Sequence, residues 1–112
     1  MFDTRVLDRS LKARRARLEE ERGAVLERVL ETLRGMRAEC GIREAYAIGS
    51  LVRAGAWHAG SDVDVAVGGC SASVLEIMKA LEDATGKQVD VVDLDRHPSA
   101  DSFRRRGLCV YG

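Results

Sequence analysis

Two aspartates one residue apart, Asp62 and Asp64, head an otherwise aliphatic run, Val63-x-Val65-Ala66-Val67, eleven residues after a Gly49-Ser50 pair. Side chains alternate along a strand, so Asp62 and Asp64 project from one face while Val63, Val65 and Val67 project from the other. Two carboxylates placed side by side repel each other and gain nothing structurally. They become favourable with a divalent cation between them, and Mg2+ takes one or two carboxylates together with substrate phosphates. A Gly49-Ser50 turn opening a short helix or loop offers backbone N–H groups and a hydroxyl to an anionic ligand. Taken singly, Asp-x-Asp is an ordinary solvated strand edge and Gly-Ser an ordinary turn. Their conjunction says more, because an unpaired charge inside a buried aliphatic strand is costly and paired buried carboxylates mark metal or catalytic chemistry.

A third carboxylate follows the same logic. Gln88-Val89-Asp90-Val91-Val92-Asp93-Leu94 reads as another strand, and Asp90 interrupts its aliphatic run as Asp64 does, so Asp90 is expected to face the same metal site. Asp93 has the opposite parity and is the weaker candidate; Asp95 reads as a loop or cap residue. Arg53, one helical turn after Ser50, is placed either to meet a phosphate or to lie on the surface. Trp57 reads as a packing anchor or lid. His58 reads as a loop residue or a nucleotide neighbour, since Mg2+ prefers oxygen to imidazole.

The elements that must hold these residues can be read in order. Residues 4–39 contain no proline, and Leu7, Leu11, Leu18, Val25, Val29, Leu33 and Met36 recur at helical spacings. Arg15–Glu19 and Arg17–Glu21 are expected as i,i+4 ion pairs. Gly23 either separates two helices or marks a bend. On that basis residues 1–23 form an N-terminal helical arm and residues 24–112 the main domain, with Ala24 to Glu39 packing on the sheet. The arm reads as a solvated amphipathic segment or as a surface for a partner or a homodimer. Strands are expected over 42–48, 62–67 and 88–94, with a helix from Ser71 or Ser73 to about Thr85, capped by a Ser73-x-x-Glu76 box and stopped by Gly86. Strand, helix, strand is a crossover unit, so the second and third strands should run parallel. After His97-Pro98, Ser99 to Arg106 reads as a short helix ending in Arg104-Arg105-Arg106, a solvated helix end or a phosphate or partner contact. Leu108 to Tyr111 reads as a last strand. The fold class is therefore α/β (α+β), a small mixed sheet of about four strands flanked by helices.

Composition narrows the class of function. The chain has 112 residues, one domain's length, and 18 basic residues balance 18 acidic ones, which argues against nonspecific nucleic-acid binding. Aromatics make up 4% of the chain, too few for base-stacking platforms. Cys40, Cys70 and Cys109 lack C-x-x-C spacing and read as small buried hydrophobes in a reducing compartment. The charged start is no signal peptide, and no apolar run approaches the roughly 18–20 residues of a membrane span, so a cytoplasmic protein is expected.

Gly49-Ser50, a spacer, Asp62-x-Asp64 and a later strand aspartate, Asp90, resemble the nucleotidyltransferase superfamily that includes DNA polymerase beta. The brevity of the chain, the Ser61-Asp62-Val63-Asp64 form and the ending Gly107-Leu108-Cys109-Val110-Tyr111 resemble its minimal members, the antitoxins of HEPN/MNT toxin–antitoxin modules. The resemblance covers roughly residues 24–112. It departs from the usual pattern in the eleven-residue spacer, where ten is common, and in Ala54 standing between Arg53 and Gly55. It implies a nucleotidyltransferase fold, two Mg2+ ions on Asp62, Asp64 and Asp90, with Asp90 helping to activate the attacking hydroxyl, and ATP held by Gly49, Ser50, Arg53 and Ser61. It also implies transfer of AMP to a tyrosine of a partner HEPN ribonuclease toxin. Two other readings stay open: a binding module that neutralises such a toxin by contact, and a transferase with a small-molecule acceptor.

Overall fold

An unbroken helical pattern over 36 residues sets the long dimension of the molecule. In the computed structural model, which describes residues 4–71 and 73–112, α1 runs Thr4–Glu39 without interruption. Gly23, left open as a break or bend, sits inside this helix with no atom near enough to constrain it. At about 1.5 Å per residue the helix alone spans about 54 Å, most of the 62 Å long axis of a body otherwise 27 by 18 Å. Termination follows from Gly41, whose φ of 59° lets the Ile42 N–H reach back to the Arg37 carbonyl at 3.2 Å.

After α1 come β1 (Glu44–Ile48), a 3-10 turn (Gly49–Val52), β2 (Val63–Gly68), α2 (Val74–Thr85), β3 (Val89–Asp93), α3 (Ala100–Arg106) and β4 (Leu108–Tyr111). Among the described residues these four strands form one mixed sheet in the order β3-β2-β1-β4. The pairs β1–β2 and β1–β4 are antiparallel; β2 and β3, joined through α2, are parallel as expected of a crossover. The chain is thus α+β with a long N-terminal helix. The strands begin one or two residues later than the aliphatic runs suggest, so Asp62 lies just ahead of β2 rather than inside it. Ser73 caps α2 by accepting from the Leu75 N–H at 3.2 Å, and Gly86, at φ 67°, closes it.

The alternation of apolar residues divides the sheet's two faces. Val25, Val29 and Leu33 of α1 and Ile77 and Leu81 of α2 pack on Ala45, Ala47, Val63, Val65, Val67 and Val89. Leu51 and Trp57, both within the spacer, insert into the same core. On the opposite face, α3 covers only part of the sheet, with Phe103 and Ala100 against Tyr46, Ile48, Ala66 and Leu94. The rest of that face is open.

Three expectations are corrected. Glu19 and Glu21 do not form the i,i+4 pairs read from the sequence: Glu19 bonds Arg22 and the Gly55 amide, while Glu21 pairs with Lys87 at 2.7 Å. Tertiary partners outcompete the weak intrahelical ones. The cysteines are all free, but only Cys40 is buried; Cys70 is half-buried and Cys109 lies exposed on the edge strand β4. Lastly, the arginine run is not one solvated cluster. Arg104 bonds Glu44 of β1 at 2.7 and 2.9 Å, drawing α3 onto the sheet. No helix among the described residues is long and apolar enough to cross a membrane.

Candidate active site

The open face of the sheet is where the carboxylates lie. Parity puts Asp64 on the same face as Ala66, and the parallel register of β2 and β3 sets Asp64 directly beside Asp90. On its other side Asp64 is paired with Ile48, the residue immediately before the 3-10 turn, so the antiparallel register brings Gly49 against it. A Cβ built on Gly49 would come within 2.9 Å of Asp64 Oδ2, and Gly49 holds a φ of 71°. Glycine is thus required twice here, for its backbone conformation and for the space the carboxylate occupies.

The electrostatics follow from this crowding. Burial pushes the Asp64 carboxyl above the usual carboxylate range, and the charges of Asp90 and Asp62 and a hydrogen bond with Asp90 push it further. Asp64 is half-buried, whereas Asp62 and Asp90 are exposed. Among the described residues no three His, Cys, Asp or Glu side chains come together as a group that could hold a metal ion, so the expected convergence of Asp62, Asp64 and Asp90 on one site is not met in this arrangement. What the strands provide is Asp64 side by side with Asp90, with Asp62 near enough to act on Asp64 by its charge; of the three, Asp64 lines a cleft.

That cleft, of about 910 Å³, is lined by Ile48, Gly49, Val52, Arg53 and Asp64 on one side. Val92 and α3 with its preceding loop complete it through His97, Ser99, Ser102, Phe103 and Arg106. Its floor is aliphatic and its rim carries both charge signs, the pattern of a small-molecule site with a few convergent polar groups. Of the residues singled out in the sequence, Gly49, Arg53, Asp64 and Arg106 line it, whereas Ser50, Ser61, Asp62 and Asp90 are not among its lining residues. Ser50, at the start of the turn, accepts the Arg53 N–H through its carbonyl at 3.4 Å. Ser61 is buried, and its hydroxyl accepts the His58 N–H at 2.9 Å. His58 is an exposed loop residue whose Nδ1 accepts from the Gly60 amide. Trp57 is a packing anchor, 3% exposed, with Lys87 Nζ 5.6 Å from its ring centroid.

The α3 wall was not foreseen. His97 and Phe103 meet edge to face at 4.8 Å, and His97 Nδ1 accepts the Ser99 N–H at 3.0 Å, fixing the imidazole at the cleft rim. The one available sequence signal was Phe103, an aromatic inside a short arginine-rich helix. Gly107 then lets α3 turn tightly into β4, since a Cβ there would meet Ile48 Cγ2 and the Phe103 carbonyl at 2.9 Å.

Among solved structures, a chain from the crystal structure of a toxin-antitoxin with AMP-PNP is similar to this one, with a TM-score of 0.61 and 22% sequence identity. The match covers 74% of this chain and 73% of that one. No protein-family model and no curated protein matches. At this identity the likeness is one of fold.

Proposed function

We propose that this chain is a Mg2+-dependent nucleotidyltransferase antitoxin that moves AMP from ATP onto a tyrosine of a partner HEPN ribonuclease toxin. The observation that carries the reading is the register pairing of Asp64 with Asp90, with Gly49 packed under the Asp64 carboxylate at the edge of the cleft. The similar fold of a toxin-antitoxin chain crystallised with AMP-PNP, an ATP analogue, supports it. In this reading residues 24–112 are the transferase unit and residues 1–23 an arm beyond it.

The donor set fits a hard divalent cation. Three carboxylates supply only oxygen, Asp64 is raised by burial and then by the charges of Asp90 and Asp62, and Mg2+ would need only one or two carboxylates beside substrate phosphates. Asp62, Asp64 and Asp90 would hold it, and it would supply stabilisation of the charge that develops on oxygen in a displacement at phosphorus. The remaining work belongs to the chain. Gly49 and Ser50 cradle the triphosphate; Arg53 and Arg106, from opposite walls, neutralise its charge. The tyrosine oxygen forms a bond to the α-phosphorus while the bond to the bridging oxygen of pyrophosphate breaks, and Asp90, exposed beside Asp64, accepts the phenolic proton.

The test is transfer of label from ATP carrying a radioactive α-phosphate, with Mg2+ and a co-expressed HEPN partner. Label on the partner that disappears in Asp62→Asn/Asp64→Asn is the expected result. A stable complex that neutralises the partner without label would replace this reading with that of a binding module.

A further inference from the structure

The loop that carries Arg53 is gripped from both ends by a single ion pair on α1. Glu19 Oε1 accepts the Gly55 N–H at 2.7 Å, two residues after Arg53. Glu19 Oε2 accepts from Arg22 Nε at 3.0 Å and Nη2 at 2.9 Å. The remaining Arg22 nitrogen, Nη1, donates to the Leu51 carbonyl at 3.0 Å, two residues before Arg53. The guanidinium and carboxylate therefore span residues 51–55 with every contact made to backbone, while the buried Leu51 side chain anchors the near end in the core. Arg53 itself is exposed and lines the cleft.

This segment opens the eleven-residue spacer between Ser50 and Asp62, in the order Arg53-Ala54-Gly55. Gly55 takes a φ of 79° and has no atom within 4 Å of a Cβ position, so packing does not hold it. Its amide bond to Glu19 does. Arg22 is the more buried member, its side chain 19% exposed against 38% for Glu19.

We infer that Glu19 and Arg22 are positioning residues that hold the loop of residues 51–55 so that Arg53 faces the phosphates of a nucleotide in the cleft. The inference rests on the proposed nucleotide site, and it assigns the long N-terminal helix a part in that site. Neither residue touches the nucleotide; both act through the backbone of residues 51–55.

Two measurements on the full chain test it. Amide hydrogen exchange should show Gly55 protected in the wild type and in Arg53→Ala, and unprotected in Glu19→Ala. Equilibrium binding of ATP with Mg2+ should weaken about tenfold in Glu19→Ala, in Arg22→Met and in Arg53→Ala, the scale of one charge-assisted contact. Because the clamp works through Arg53, Glu19→Ala/Arg53→Ala should bind no more weakly than either single variant. Glu19→Gln, which keeps an acceptor for Gly55, should recover part of the affinity. Additive losses, or an unchanged Kd in Glu19→Ala with Gly55 exposed to exchange, would overturn the positioning role; unchanged Gly55 protection would overturn the clamp itself. A wild-type chain that binds no ATP while Gly55 behaves as expected would instead sink the nucleotide reading, and the inference with it.

Discussion

Gly49 and Asp64 occupy adjoining space so closely that a single methyl group on Gly49 would lie 2.9 Å from Asp64 Oδ2. Gly49→Ala therefore imposes two effects. The left-handed backbone at φ 71° costs about 1–2 kcal/mol for a residue with a Cβ, and the carboxylate must turn away. Thermal unfolding should show a melting temperature several degrees lower, and the stabilisation that Mg2+ and ATP give the wild type should be lost beyond that drop.

The raised Asp64 carboxyl makes stability depend on pH in a definite direction. Its folded pKa lies above its unfolded value, so the folded state holds the proton longer. The stability this group contributes is present below the unfolded carboxylate value and lost as pH rises through the folded one. At neutral pH without metal, ionised Asp64 is a cost, and Asp64→Asn should melt higher than the wild type. The gap should close on acidification through the upper carboxylate range. Adding Mg2+ should raise the wild type and leave the variant unmoved. A variant that melts lower at neutral pH in metal-free buffer would contradict the crowding of carboxylates described above.

Arg104 ties the cleft's far wall to the sheet through Glu44, at 2.7 and 2.9 Å. Arg104→Met leaves the Glu44 carboxylate, 23% exposed, without this partner. Since Arg104 is about a third exposed, the loss of stability is expected to be small. The sharper readout is protection by ATP: with α3 loosened, Phe103 and Arg106 no longer face Gly49 and Arg53, and the melting-temperature shift produced by ATP should shrink.

Tyr111 on β4 donates its hydroxyl to the Leu33 carbonyl at 3.0 Å inside the core, and Arg37 lies 4.8 Å from its ring centroid. Tyr111→Phe should lower stability by about 1 kcal/mol, the net worth of a buried hydrogen bond. Leu33→Ala, at a fully buried position, should cost about 2–5 kcal/mol. Urea titration separates the two: the midpoint should fall modestly in the first and steeply in the second, with the slope unchanged in both.

Much of this architecture can be read from local pattern. The α2 caps at Ser73 and Gly86, the bounds of β4 and the parallel relation of β2 to β3 all follow from spacing, because each depends on neighbours in sequence. Asp64 and Asp90 could be put on one face by parity alone. What parity could not give was register: that Asp64 lies level with Asp90 and with Ile48 depends on how the strands slide, and with it the steric role of Gly49. The α3 wall was hidden for a related reason. His97 and Phe103 acquire their place only when β4 pairs with β1, which carries α3 across the open face. Glu19 and Arg22 looked like ordinary surface charges because their partners, Gly55 and Leu51, lie 36 and 29 residues away.

The order β3-β2-β1-β4 also has a consequence in time. β1 ends at Ile48, whereas β4, which covers its second edge, begins at Leu108, some sixty residues later. At roughly 5–20 residues per second on the ribosome, β1 stays an open edge for about 3–12 s after its own synthesis. Its residues are aliphatic or aromatic except for Glu44, so for that interval it presents a hydrophobic template to any neighbouring strand. Closure by Leu108–Tyr111 ends that exposure of β1.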